Sequence, residues 1–311
     1  MFDGLTFGVL DFSYAGFGHF EKRLQEEGRF DVNLGDYIQS IAVREALLSI
    51  GVSEEQIVHV DRDTLASSDG DPVFLVMNGV FYPRCFPLPP HIIPVWFGFS
   101  YCASNIHADE TVGQYHQALA SLRPAYPVGC RDLATMHALQ AAGHEAYLSG
   151  CLSATLQRPD MDRSGLRGLV CGLDDAPLKD ALMRQGDMFF MPDQRRAVSE
   201  YPLGQATRSA CRGAAAALLD FYWNHVSFVA TSLMHCALPC AAMGIPAVVV
   251  RHDPDNYRFD MARALMPVED ASRLQDALVL RNMAQSIEVR DLLLPALRDA
   301  VGMAVEASMV R

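Results

Sequence analysis

The stretch VSFVATSLMHCALPCAAMGIPAVVVR, Val226 to Arg251, decides how the chain is read. Val226 to Ala230 is a short β-branched, apolar run that suits a buried strand. Met234 to Met243 has the length and composition of a helix, and Ala247 to Arg251 is a second apolar strand. A connection that long, with a helix in it, joins parallel neighbours rather than a hairpin. Thr231 or Ser232 can cap the helix. Pro239 has no N–H, so a helix that already runs through His235 leaves the His235 carbonyl without its usual donor. Alternatively Pro239 lies in the first turn and His235 on the loop before it. Either way, His235 falls just past the carboxyl end of a strand, where open parallel sheets place their ligands.

The same alternation extends in both directions. On the N-terminal side, Leu5 to Phe12 reads as a strand, and Ser13 to Val32 follows as a long segment containing Gly16 and Gly18. An amphipathic helix runs from about Gly35 to Ser49 and ends at Gly51. Val73 to Met77 and Ile92 to Phe97 are strands, and His107 to Leu122 is a helix. Pro127 to Cys130 is a short strand, Asp132 caps a helix that Gly143 stops, and Glu145 to Leu148 is another strand. A polar stretch around residue 160 interrupts the pattern. It resumes with strands at Leu169 to Leu173 and Asp187 to Met191, helices at Pro177 to Arg184 and Thr207 to Trp223, and a helical final forty residues. The expectation is an α/β fold of two Rossmann-like parallel-sheet domains with a central cleft, residues 1–160 and 161–311.

Composition narrows the function classes. Half of the 311 residues are hydrophobic and the net charge is −12, which disfavours nucleic acid because phosphate neutralisation needs a basic face. The cations are 23 Arg and only 2 Lys, a bias that suits bidentate binding of carboxylate or phosphate and also accompanies an Ala-rich, GC-biased genome. No basic n-region precedes Leu5 to Leu10, so no signal peptide is expected, and Leu233 to Val250 carries too much Pro, Gly and His for a membrane span. Eight scattered cysteines without a CxxC read as reduced thiols of a cytoplasmic protein. Cys236 and Cys240 with His235 form an incomplete zinc set, so no metal is expected. P-loop, GxGxxG and GxSxG motifs are absent; position 21, where the last glycine of GxGxxG would fall, is Glu.

The residues beyond strand ends are the candidates. His235 is a titratable acid/base. Arg131 is a guanidinium beside the N-cap Asp132, with an ion pair to Asp132 as the plain alternative. Asn33 caps the first long helix, Gly35 permits close backbone approach, and Asp36 lies in the helix's first turn. There the helix dipole is expected to lower its pKa, making it an acceptor for sugar hydroxyls rather than a base near neutrality. Ser232 marks a helix N-terminus with backbone donors for an anion. Arg251 and Arg258 are further anion contacts.

Taken together, these segments resemble the polysaccharide pyruvyl transferase family. Asn33-Leu34-Gly35-Asp36 is similar to its N-x-GD helix start, and Val128 to Asp132 with Gly143 is similar to its R-D segment. Ser149-Gly150-Cys151-Leu152-Ser153 resembles its SGCL[ST] turn, and Val229 to Val250 resembles its VTSRLHCALPC-x-x-x-G-x-P-V segment. The resemblance implies a GT-B-like arrangement and transfer of a pyruvyl group from phosphoenolpyruvate, as co-substrate, to two sugar hydroxyls, forming a ketal on an exopolysaccharide precursor. It implies His235 as the acid/base, Arg131 as a carboxylate or phosphate contact, and no resident cofactor. The acceptor is a free sugar, a nucleotide sugar or a lipid-linked glycan, the last placing the enzyme at the inner membrane face. The family's SR-x-H arginine falls on Leu233, and Arg251 and Arg258 are the residues available to replace it. A GT-B glycosyltransferase with a nucleotide-sugar donor and a catalytically inactive sugar-binding member are the alternatives.

Overall fold

A computed structural model of the protein describes residues 2–101, 111–173, 176–184, 187–271 and 277–309. Its first sheet is built from β1 (Phe7–Asp11), β3 (Ile57–Asp61), β4 (Val73–Val76) and β6 (Ile92–Val95), all parallel, in the order β3-β1-β4-β6. A second set, β5 (Gly79–Val80), β7 (Phe99–Ser100), β8 (Val128–Cys130) and β9 (Ala146–Leu148), is ordered β5-β7-β8-β9. The two are one sheet with a bend in it. Met77 N–H still donates to Val95 at 3.0 Å and Gly129 N–H to Trp96 at 3.1 Å, across the interruptions that separate β4 from β5 and β6 from β7. With interrupted strands counted once, the order by chain position is 2-1-3-4-5-6, the doubly wound pattern in which the ligand crevice opens at the switch point between the first and third strands.

The second sheet is β11 (Met188–Met191), β10 (Arg167–Cys171), β13 (Val226–Thr231), β14 (Ala247–Arg251) and β15 (Val268–Asp270), in that spatial order and all parallel. This is again 2-1-3-4-5. Its inner strands read as continuous apolar runs because helices cover both faces. One of them, α5 (Ala176–Arg184), packs against β11.

One helix unites the molecule. α2 (Leu34–Ser49) buries Leu34, Tyr37, Ile38, Ala42, Val43, Ala46 and Leu47, far more than one stripe. A helix apolar nearly all round must be enclosed. It packs against β1 on one side and, on the other, against α6 (Gln205–His225), α7 (Met234–Ala242) and the turn at Leu152–Thr155. The main core is therefore continuous between the sheets, from Phe7 and Leu10 through Ile38 and Val43 to Cys236 and Leu238. Two further elements cross over. β2 (Phe30–Asn33) pairs antiparallel with β12 (Arg195–Val198), and α10 (Arg290–Met309) returns to pack against β6.

Several elements depart from expectation. The segment Ser13 to Val32 contains α1 (Gly18–Glu27) and β2. β3 has no clean apolar run, since His59 is exposed on an edge strand. The C-terminal region holds the short helix α8 (Asp260–Leu265), then β15 and two separate helices, α9 (Ala277–Met283) and α10, rather than forty helical residues. The helix expected from His107 is seen as α3 (Val112–Ser121), and its first residues, like Cys102, lie outside the described residues. The seven described cysteines are free and buried, and no described helix is long and apolar enough to cross a membrane.

Candidate active site at two facing helix ends

Two helix N-termini from distant parts of the chain meet. At α2, Asn33 Oδ1 accepts from the Gly35 N–H at 3.0 Å, as a cap should. At α7 the expected cap by Thr231 or Ser232 does not form: the N-cap is Leu233, with no side-chain cap bond, while Thr231 Oγ1 accepts from the Leu233 N–H at 3.0 Å. The helix proper starts at Met234, so His235 sits in the first turn. The ends touch at Gly35, where a Cβ would lie 3.1 Å from the His235 Cβ and 3.0 Å from Asn33 Oδ1. The close approach expected of Gly35 is to the histidine's own helix.

The ambiguity about Pro239 resolves in favour of a helix running through His235. Its orphaned carbonyl accepts instead from Gln194 Nε2 at 3.1 Å, and the same nitrogen lies 2.9 Å from Tyr222 Oη. Gln194 is 3 % exposed, so this bond locks the first turn of α7 from the side. The His235 Nδ1 is buried without a hydrogen-bond partner. Burial first, then Arg131 and Arg258, push its pKa well below the ordinary histidine value, so the ring rests neutral.

Arg131 follows β8 and is 3 % exposed. It is not paired with Asp132, whose Oδ1 caps α4 (Leu133–Ala141) through the Thr135 N–H at 2.8 Å and whose Oδ2 accepts from Ser100 Oγ at 2.7 Å. Instead Arg131 Nη1 donates to Gln39 Oε1 at 2.9 Å, and its Nε has no partner. The nearby carboxyl is that of Asp36, reached through Gln39 rather than directly, and a buried guanidinium without a direct anionic partner is costly.

Asp36 stands between these groups. Its carboxylate lies within 3.4 Å of Tyr14 Oη, Asn33 Nδ2 and Gln39 Nε2. The expected lowering of its pKa by the helix end does not occur. Burial dominates and raises it, against the opposing fields of Arg62, Arg131 and Arg258. The local dipole is outweighed because loss of solvent around the carboxyl penalises its charged form, which makes Asp36 a better base than its position in α2 suggests.

Arg258 is the exposed residue of the turn Tyr257–Phe259, and its charge bears on both His235 and Asp36. Arg251 is directed elsewhere. Its Nε pairs with Asp253 at 2.5 Å, its Nη1 donates to the Ser232 carbonyl at 3.1 Å, and its guanidinium covers Phe259 at 4.5 Å. Ser232 also faces away from the helix end. Its N–H donates to the Cys171 carbonyl at 3.3 Å and its hydroxyl to Gly172, so its own donors are occupied.

Three participants were not visible in the sequence. Arg62, 3 % exposed, pairs with Asp63 at 2.7 Å and lies over the Phe12 ring at 4.7 Å. Tyr14 has φ +58, a left-handed conformation unusual for an aromatic residue, held by its N–H bond to Asp63 Oδ2 at 2.7 Å. Gln39 bridges Arg131 to Asp36. The position of Arg62-Asp63 just past a strand was the available signal, hidden because β3 was not recognisable as a strand. Beneath His235, the thiols of Cys171 and Cys240 hydrogen-bond that of Cys236, which also bonds Tyr222 and Thr231. Among the described residues, no group of His, Cys, Asp or Glu has a metal-holding arrangement.

What converges is thus a neutral histidine, a carboxyl of raised pKa, one buried and one exposed guanidinium, and two helix N-termini. Such a set can hold a small polyanion and move protons on either side of it. Compared with protein-family models and with curated proteins, the chain matches none.

Proposed function

We propose that the protein is a pyruvyl transferase of the polysaccharide pyruvyl transferase type, moving the pyruvyl group of phosphoenolpyruvate onto two hydroxyls of a sugar in a surface-glycan precursor, with the two sheets facing each other as in a GT-B enzyme. The observation that carries this reading is Arg131: buried, hydrogen-bonded among the described residues to Gln39, its Nε without a partner, and near a histidine kept neutral by burial and by charge. Phosphoenolpyruvate carries a carboxylate and a phosphate on adjacent positions, which suits two guanidiniums, and Arg258 supplies the second in place of the arginine that Leu233 lacks.

The chemistry follows from the charges. Burial is the largest influence that holds His235 neutral; when the trianion binds, it offsets Arg131 and Arg258 and its own negative charge opposes the cost of burial, so that the imidazole takes up a proton. His235 gives that proton to the methylene carbon, making a methyl group and an oxocarbenium-like centre at C2. One sugar hydroxyl adds there. The C2–O(phosphate) bond then breaks, and the second hydroxyl closes the ketal. Of the two hydroxyl protons, one replaces the proton given by His235 and the other leaves with phosphate, so the reaction balances without a redox or metal cofactor.

The test is a thermal-shift titration with phosphoenolpyruvate on the wild type and Arg131→Ala. At a hundred times its dissociation constant a ligand stabilises by about 2.7 kcal/mol. The expected result is a shift in the wild type that Arg131→Ala removes, with phosphate released when a sugar acceptor is added. No shift with phosphoenolpyruvate and a clear one with a nucleoside diphosphate would replace this reading by a nucleotide-sugar glycosyltransferase.

A further inference from the structure

Asp36 belongs to two surroundings at once. One is the group of Arg131, Arg258 and Gln39 next to His235. The other is a cavity of about 540 Å³ walled by the aromatic residues Tyr14, Phe17, Phe20 and Tyr82, with Asn33 and Asp36 among its polar lining. That volume is within the range of small-molecule sites. Of the guanidiniums on its lining, Arg62 is already neutralised by Asp63 at 2.7 Å and lies over the Tyr82 ring at 5.0 Å, which fixes that ring as a wall. A site of aromatic walls with carboxylate and amide acceptors at one end suits a pyranose. The sugar's C–H face packs on the rings and its hydroxyls donate to the polar end. Arg23 and Arg195 stand exposed on the cavity lining, where a phosphate on the anomeric carbon would meet them.

Resting on the pyruvyl-transfer reading, we infer that this cavity seats the acceptor sugar and that Asp36, on the boundary between cavity and donor site, takes the proton of the first attacking hydroxyl. As the hydroxyl oxygen bonds to C2 of the donor, its proton passes to an Asp36 carboxylate oxygen. Asp36 then delivers it to the departing phosphate oxygen, while the second hydroxyl's proton reloads His235. Tyr14 Oη, 3.4 Å from Asp36 Oδ2, orients the carboxylate. A carboxyl whose pKa is raised by burial is suited to hold the proton between the two steps.

The experiment measures phosphate release from phosphoenolpyruvate with a panel of methyl hexopyranosides and the matching hexose 1-phosphates, on the wild type, Asp36→Asn and Tyr82→Ala. Thermal-shift titration with phosphoenolpyruvate alone is run on each protein. Asp36→Asn is expected to keep its phosphoenolpyruvate shift, lose at least a hundredfold in kcat, and lose the rise in rate on the acidic limb of the pH profile. Tyr82→Ala is expected to raise the acceptor KM at least tenfold with kcat and phosphoenolpyruvate affinity little changed. Preference for the phosphorylated sugars assigns Arg23 and Arg195 a phosphate; equal use assigns the cavity to the pyranose alone. Wild-type kcat in Asp36→Asn, or an unchanged acceptor KM in Tyr82→Ala, overturns the assignment while leaving pyruvyl transfer intact. Absence of any phosphoenolpyruvate shift in the wild type overturns both.

Discussion

Replacing Arg62 by Met tests the architecture beneath the site without reference to any substrate. Arg62 and Asp63 are 3 % and 6 % exposed, and one Asp63 oxygen receives both Nε at 2.8 Å and Nη2 at 2.7 Å. Met fills much of the same volume between Phe12 and Tyr82 but leaves the carboxylate enclosed with the Tyr14 N–H as its remaining strong donor. Removing one partner of a buried ion pair costs about 3–5 kcal/mol, because the other charge stays buried. At an unfolding entropy of ~2.1 cal/mol/K per residue, a chain of 311 residues loses roughly 5–8 °C in Tm. The loss depends on pH in a definite direction. Burial already raises Asp63 to about 6 with Arg62 present to oppose it. In the wild type, therefore, the folded state binds more protons than the unfolded state between the ordinary carboxylate value and about 6, and this group's contribution to stability falls as pH rises through that window. Without Arg62 the carboxyl holds its proton to higher pH still, so the variant's deficit is small at about pH 5, where Asp63 is neutral, and grows as pH rises above about 6, being much larger at about pH 8. Differential scanning calorimetry at both values reads it. A drop below about 2 °C at the higher pH, or equal drops at the two pH values, would refute the account of Arg62 and Asp63 as a buried, mutually dependent pair.

Three further outcomes concern the site. Gly35→Ala gains about 1 kcal/mol of helix propensity but sets a methyl 3.1 Å from His235 Cβ, so Tm is expected to stay within a few degrees while phosphate release falls at least tenfold; unchanged turnover would show that the two helix ends are not held in contact. Arg258→Ala removes a charge-assisted contact of about 1.5–3 kcal/mol, weakening phosphoenolpyruvate binding roughly 10- to 150-fold by isothermal titration, whereas Arg251→Ala, already engaged with Asp253, is expected to change it less than threefold. Because His235 is held neutral in the free protein, phosphoenolpyruvate binding draws a proton onto it and tightens as pH falls; titrations in two buffers of different ionisation enthalpy are expected to give greater proton uptake in the wild type than in His235→Gln, and equal values would remove His235 as the proton carrier.

Local sequence determined the alternation of strands and helices. The apolar run Ala247 to Val250 lies between two parallel neighbours, as a strand with no polar face requires. Asn33 and Asp132 were legible as helix caps, and His235 and Arg131 as residues just past strand ends, because capping and strand direction depend on a few neighbouring residues. Tertiary structure alone brought Gly35 against His235, Gln39 to Arg131 across 92 positions, and Gln194 to the carbonyl freed by Pro239. Periodicity tells which face of an element is buried and nothing about what covers it. For the same reason the sign of the Asp36 shift could not be read locally. The helix end favours the charged form, but the desolvation that outweighs it comes from every element packed around the carboxyl, and those elements are assembled only when the chain folds.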